Sequence, residues 1–174
     1  MKRTASTYAM ALAAVVGLHG QGVRLPRPLN TPEIIEPTIT VTGIGGKGIT
    51  LAAWDLSKLP QQTVKTTDHG APATFEGVLL TDVLAKVDLP AGERFHKTGA
   101  SYYLVVEGKD GYRAVFAWAE IDSTFMDKSV YVVTKRDGKP LADTDGPFEL
   151  VAPGEKRAAR WVRQVTAMTI KQAN

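Results

Sequence analysis

A train of short β-like runs separated by tight turns fills the chain from Ser101 onward and restricts the fold more than any other feature. Residues 102–106 and 112–118 are rich in β-branched and aromatic side chains. Between them Gly108-Lys109-Asp110-Gly111 has the composition of a hairpin turn. Residues 129–134 form a third run, closed by the turn Arg136-Asp137-Gly138-Lys139-Pro140. A fourth run, 148–152, stops at Pro153-Gly154, and a fifth extends to Ile170. Runs this short are not stable singly and need neighbours in a sheet. An all-helical fold is excluded.

The last turn carries the charge. Glu155, Lys156, Arg157, Arg160 and Arg163 surround Trp161 in a loop expected to be pinched between the last two strands. Guanidinium forks match phosphate and carboxylate oxygens in pairs, so this loop suits a small anion. The same residues also suit a solvated loop anchored by one tryptophan. Lys156 and Arg163 are expected to stay in water.

Upstream, residues 38–42 (TITVT) alternate as a half-buried strand does, and Gly43 to Gly48 forms a glycine-rich turn into a strand at 49–53. No Ser or Thr follows the Gly46-Lys47 pair, so this is not a phosphate loop. Asp55 is expected to cap a helical turn holding Leu56 and Leu59. Residues 62–67 read as a strand leading to the loop Asp68-His69-Gly70-Ala71-Pro72. Residues 75–79 then lead into a helix capped by Thr81, with Leu80, Val83, Leu84 and Val87 on one face. A short helix is expected at 119–125, and Trp54, Tyr112 and Trp118 are expected in the core. The fold class is α+β: a mixed β-sheet domain with short helices.

Residues 1–22 have the order of a secretory leader, with a basic start, an alanine-rich apolar run and small residues after it. Prolines 26, 28, 32 and 37 make 23–37 an extended linker, which leaves 38–174 as the domain. A periplasmic or secreted location follows, with membrane contact only through an uncleaved leader. Removing Lys2 and Arg3 leaves 19 basic against 18 acidic residues, too close to neutral for a nucleic-acid binder. Cysteine is absent, which rules out disulfides, thiolate catalysis and cysteine-held metals.

Four segments in order resemble the molybdopterin-binding domain of sulfite-oxidase-like oxidoreductases: FEGVLLTDVL (75–84), KDGYRAVFAWAEID (109–122), KRDGKPL (135–141) and GPFELVAPGEKRAARWV (146–162). The resemblance spans roughly residues 38–172. It implies a molybdopterin cofactor whose dithiolene sulfurs, with one protein cysteine, hold molybdenum. Basic residues in that family bind the pterin phosphate and an oxyanion substrate, and a redox partner protein is implied. Arg157 resembles the arginine that faces the substrate, and Arg160-Trp161 the basic–tryptophan pair beside the cofactor. The family cysteine falls on the loop that here reads Asp68-His69-Gly70.

Replacing a thiolate by a carboxylate or imidazole exchanges a soft ligand for a harder one. Asp68 is a candidate oxygen ligand to a metal, or else a loop aspartate holding neighbouring amides. His69 is a candidate proton shuttle or half of a metal site with His96, or else a polar turn residue. Asp68, His69 and Arg157 are therefore the candidate catalytic residues, and Arg160 and Trp161 the candidate cofactor contacts. Two functions remain open: an exported oxidoreductase that binds molybdopterin, or an accessory module that kept the fold and holds a pterin or another small anion.

Overall fold

The computed structural model describes residues 36–87, 99–122 and 125–173. The leader read at 1–22, most of the linker read at 23–37, and His96 lie outside the described residues.

Two sheets carry the chain, the first mixed and the second antiparallel throughout. β1 (Thr38–Thr42) pairs antiparallel with β2 (Gly48–Ala52) and parallel with the last strand, β10 (Val165–Gln172). β10 pairs with β5 (Tyr102–Gly108), and β5 with β6 (Arg113–Ala117), giving the order β2-β1-β10-β5-β6. The second sheet is built on a long hairpin of β3 (Gln61–Asp68) and β4 (Ala71–Leu79). It continues through β7 (Tyr131–Arg136) to β8 (Lys139–Pro140), and β9 (Glu149–Val151) also pairs with β7. This is the α+β mixed-sheet fold expected from the run-and-turn pattern.

Period-2 alternation sends Ile39, Val41, Leu104, Val106, Met168 and Ile170 from the first sheet into a single apolar core. The second sheet adds Phe75 and Val78, which lie either side of a register shift between Glu76 and Gly77, Val132, and Leu150 and Val151 of β9, a strand buried throughout. Truncating one of the large fully buried members, such as Phe75 or Phe148, costs about 3–5 kcal/mol in lost transfer energy and cavity. α1 (Ala53–Ser57) and α2 (Leu80–Leu84) are single turns that cover the core with Leu56 and with Leu80, Val83 and Leu84. A third short helix, α3 (Trp118–Ile121), follows β6 and buries Trp118 and Ile121.

The local chemistry differs from expectation at four points. Asp55 lies inside α1 rather than before it, and its Oδ2 accepts the Ala52 N–H at 3.1 Å from the first turn. Thr81 is likewise inside α2, because β4 runs directly into the helix and Leu79 is the last extended residue. The loop read at 68–72 shrinks to two residues: Asp68 ends β3, Ala71 begins β4, and His69 (φ 48°) and Gly70 (φ 87°) make the left-handed turn that suits a two-residue hairpin. Trp54 is 68% exposed with Lys58 Nζ 4.9 Å from its ring centroid, and Tyr112 is 48% exposed. Of the three aromatics expected in the core, only Trp118 is buried.

Candidate functional site

Between β9 and β10 the chain does not make a simple loop. Val162 forms an antiparallel bridge with Leu150, and residues 158–160 wind into a 3₁₀ turn (Ala158–Arg160). Trp161 fixes this excursion: its Nε1 donates to the Ala152 carbonyl at 3.0 Å, and its ring meets Phe75 edge-on at 5.7 Å. The 3₁₀ turn thereby comes over the tip of the β3–β4 hairpin. The tip residue His69 and the segment 155–161 share one groove of about 610 Å³, lined by Thr67, His69, Glu155, Lys156, Arg157 and Trp161 among others. Of the residues singled out in the sequence, His69, Arg157 and Trp161 line this groove, whereas Asp68 and Arg160 do not.

Lys156 and Arg157 are exposed on this groove, and among the described residues neither has a carboxylate within salt-bridge distance. Arg160 behaves differently. Its Nε and Nη2 donate to Glu155, Nη1 donates to Glu120 at 2.8 Å and to the Val115 carbonyl at 3.3 Å, and its guanidinium stacks 4.5 Å from the Phe116 ring centroid. Burial alone would raise Glu120, but the bonds from Arg160 and the Ala117 N–H hold it below the ordinary glutamate range. Arg160 ties the 3₁₀ turn to β6 and α3, and it borders a different depression together with Phe116 and Glu120.

Next to the groove, behind the shared wall of His69, Ala158, Ala159 and Trp161, lies a smaller cavity of about 220 Å³. Its other lining residues are Asp68, Asp110, Tyr112, Glu149 and Arg163. Among the described residues only two polar or charged side chains are buried, Asp68 (8% exposed) and Glu149 (5%), and both line it. Asp68 is compensated: Arg136 Nη1 donates to its Oδ2 at 2.7 Å, and Arg136 in turn lies 5.5 Å from the Phe75 ring centroid. The imidazole Nε2 of His69 is 3.6 Å from Asp68 Oδ1, with His69 itself largely exposed. Tyr112 closes the opposite side by donating its hydroxyl to the Ala159 carbonyl.

Glu149 was not among the residues singled out from the sequence. It is pushed up to about 7, first by burial and then by Asp145; Arg163 opposes this, Asp68 adds to it, and Arg136 opposes it. The signal was present as a lone acid inside the apolar run PFELVA, where a charge contradicts its surroundings. Arg163 is exposed, as expected, and from there it borders the cavity and pairs with Asp145 at 3.2 Å.

Comparison with known proteins bears on this arrangement. The family model described as oxidoreductase molybdopterin binding domain matches residues 28–174. No curated protein sequence matches the chain. Among solved structures, the sulfane dehydrogenase SoxCD from Paracoccus pantotrophus is similar in fold, with a TM-score of 0.60 and 18% identity. That likeness covers 77% of this chain and 38% of the other, so the chain spans well under half the length of the protein it matches.

Proposed function

Because the chain belongs to the oxidoreductase molybdopterin-binding domain family, we propose that it is an exported anion-binding member of that family. Its groove of His69, Lys156, Arg157 and Trp161 receives the phosphate of a pterin or another small oxyanion. The observation that carries this reading is the pair Lys156 and Arg157. Two exposed cations without carboxylate partners among the described residues line one groove, beside an aromatic wall. Neighbouring cations on a folded surface repel one another, and an oxyanion bound between them relieves that repulsion.

The metal end of molybdopterin fits these residues poorly. No thiol is available anywhere in the chain. One oxygen of Asp68, which stands where the family cysteine is expected, is already held by Arg136 at 2.7 Å. Asp110 and Glu149 on the same cavity would face the anionic dithiolene sulfurs. Among the described residues no group of three or more His, Asp or Glu side chains is placed to hold a metal ion. The phosphate end suits the groove and the metal end does not suit the cavity. The reading is therefore a binding or accessory role outside the cytoplasm, with no reaction step assigned to this chain's own side chains.

The test is direct. Protein expressed with its leader in a molybdenum-replete host is analysed for metal and pterin, then titrated with inorganic phosphate and pyrophosphate. Arg157→Ala and Lys156→Ala are each expected to weaken anion binding about tenfold, the equivalent of about 1.4 kcal/mol per lost charged contact. Arg160→Ala should leave it unchanged. Stoichiometric molybdenum that disappears in Asp68→Ala would replace this reading with an oxidoreductase that uses Asp68 as ligand.

A further inference from the structure

We propose that the cavity next to the anion groove is a binding site for a small organic cation, a short-chain guanidinium or primary ammonium, held by the Glu149 carboxylate and flanked by Tyr112 and Trp161. The inference does not depend on the anion groove.

Glu149 is the starting point. The residue is 5% exposed and lines the cavity, and among the described residues its carboxyl has no hydrogen-bond or ion-pair partner. Among them no fully buried side-chain oxygen or nitrogen is left unpartnered, so the carboxyl oxygens open onto the cavity. A carboxylate largely desolvated by the protein, with oxygens that meet only the cavity, takes its donors from water or from a cation that enters there. The cations nearby are otherwise engaged. Arg136 is committed to Asp68 at 2.7 Å and to Asp137 at 3.6 Å, and Arg163 to Asp145 at 3.2 Å. Both act on Glu149 only through space, and Asp145 and Asp68 act against them. Asp110, also on the cavity wall, spends one oxygen on the Tyr112 N–H at 2.9 Å and keeps the other. His69, at the rim, is mostly exposed.

Charge and shape select the ligand class. An anion entering the cavity would meet Asp110 and Glu149, and Asp68 already paired with Arg136, against one guanidinium, Arg163, which Asp145 already holds. A metal ion lacks the trio of donors it needs among the described residues, and half the wall is Tyr112, Trp161, Ala158 and Ala159. An alkyl chain bearing a delocalised or compact positive head matches both halves: aromatic faces attract the cation and apolar surface covers the stem. The volume of about 220 Å³ is the share of about seven waters, which suits a ligand of about that many heavy atoms.

The experiment titrates the full chain with n-propylguanidinium and n-butylammonium, and in parallel with butyramide and butyrate, by calorimetry above the Glu149 transition. The two cations are expected to bind saturably, with the amide and the carboxylate at least tenfold weaker. Glu149→Gln should weaken the cations at least tenfold while phosphate binding to the groove is retained. Asp110→Asn should weaken them less, and it serves if the Glu149 variant does not fold. Arg157→Ala should leave cation affinity unchanged, so failure here and failure of the anion reading are told apart. Equal affinity for butyramide, preference for butyrate, full cation affinity in Glu149→Gln, or no saturable binding of either cation would each overturn the proposal.

Discussion

Replacing Glu149 by glutamine tests whether the cavity holds a carboxyl that folding forces to keep its proton. The ordinary glutamate value is 4.5, and burial with Asp145 pushes Glu149 to about 7, so between those values the native state binds a proton that the unfolded chain has released. The stabilisation is complete below the ordinary value and is lost as pH rises through the folded one. At about 1.36 kcal/mol per pH unit of separation, the ceiling is about 3.4 kcal/mol. The cavity admits water, which lowers the cost of ionisation, so about 2 kcal/mol is the expected size. Glutamine keeps the shape and presents an amide to the acceptors Asp68 and Asp110, but it does not titrate. Chemical denaturation of both proteins near pH 5 and near pH 8 measures the effect. The wild type should lose about 2 kcal/mol more than the variant across that interval, with every other titrating group cancelling in the comparison. Equal pH dependence in the two proteins would refute the account of Glu149 as a desolvated acid.

Arg160→Ala should lower stability by about 1–2 kcal/mol, reduced from a fully buried pair because a third of the side chain is exposed; loss of phosphate affinity without loss of stability would show a ligand-binding arginine instead. Gly77→Ala should destabilise by about 3 kcal/mol or more in a thermal melt, since the added Cβ would lie 2.2 Å from the Val132 carbonyl oxygen and 2.5 Å from the Val133 Cα, both backbone atoms; an unchanged melting temperature would refute it. His69→Gly should stabilise by about 0.5–1 kcal/mol, because the left-handed φ of 48° costs histidine more than glycine even after the entropy of the unfolded chain is counted; a lower melting temperature would show that the imidazole contact with Asp68 outweighs the strain.

The sheet was legible because its signals are local. β1 occupies residues 38–42 as the alternation predicts, and the turn at Asp137-Gly138 carries the positive φ values that its residue types favour. The site was legible only in part. Arg157, Trp161 and His69 line one groove, supplied by a hairpin tip and by the two ends of a 3₁₀ turn about ninety positions on, while Asp68 and Arg160 line other depressions. Arg160 differs from Arg157 by nothing in sequence. Its glutamate partners come from α3 and from its own loop, and only their placement turns it from a free cation into a structural tie. Trp54 carried the composition of a core residue and lies outside, because α1 offers the core only Leu56.

What the sequence determined by itself was the β-rich fold, the exclusion of thiolate chemistry, and the concentration of basic residues around Trp161; each rests on residue type and short spacing, which folding cannot change. Tertiary structure decided which charges are free. Pairing and burial depend on neighbours from other strands, and these commit Arg160 to glutamates, Arg136 to Asp68 and Arg163 to Asp145. They leave Lys156 and Arg157 facing the larger groove and Glu149 facing the smaller cavity, with no partner of its own among the described residues.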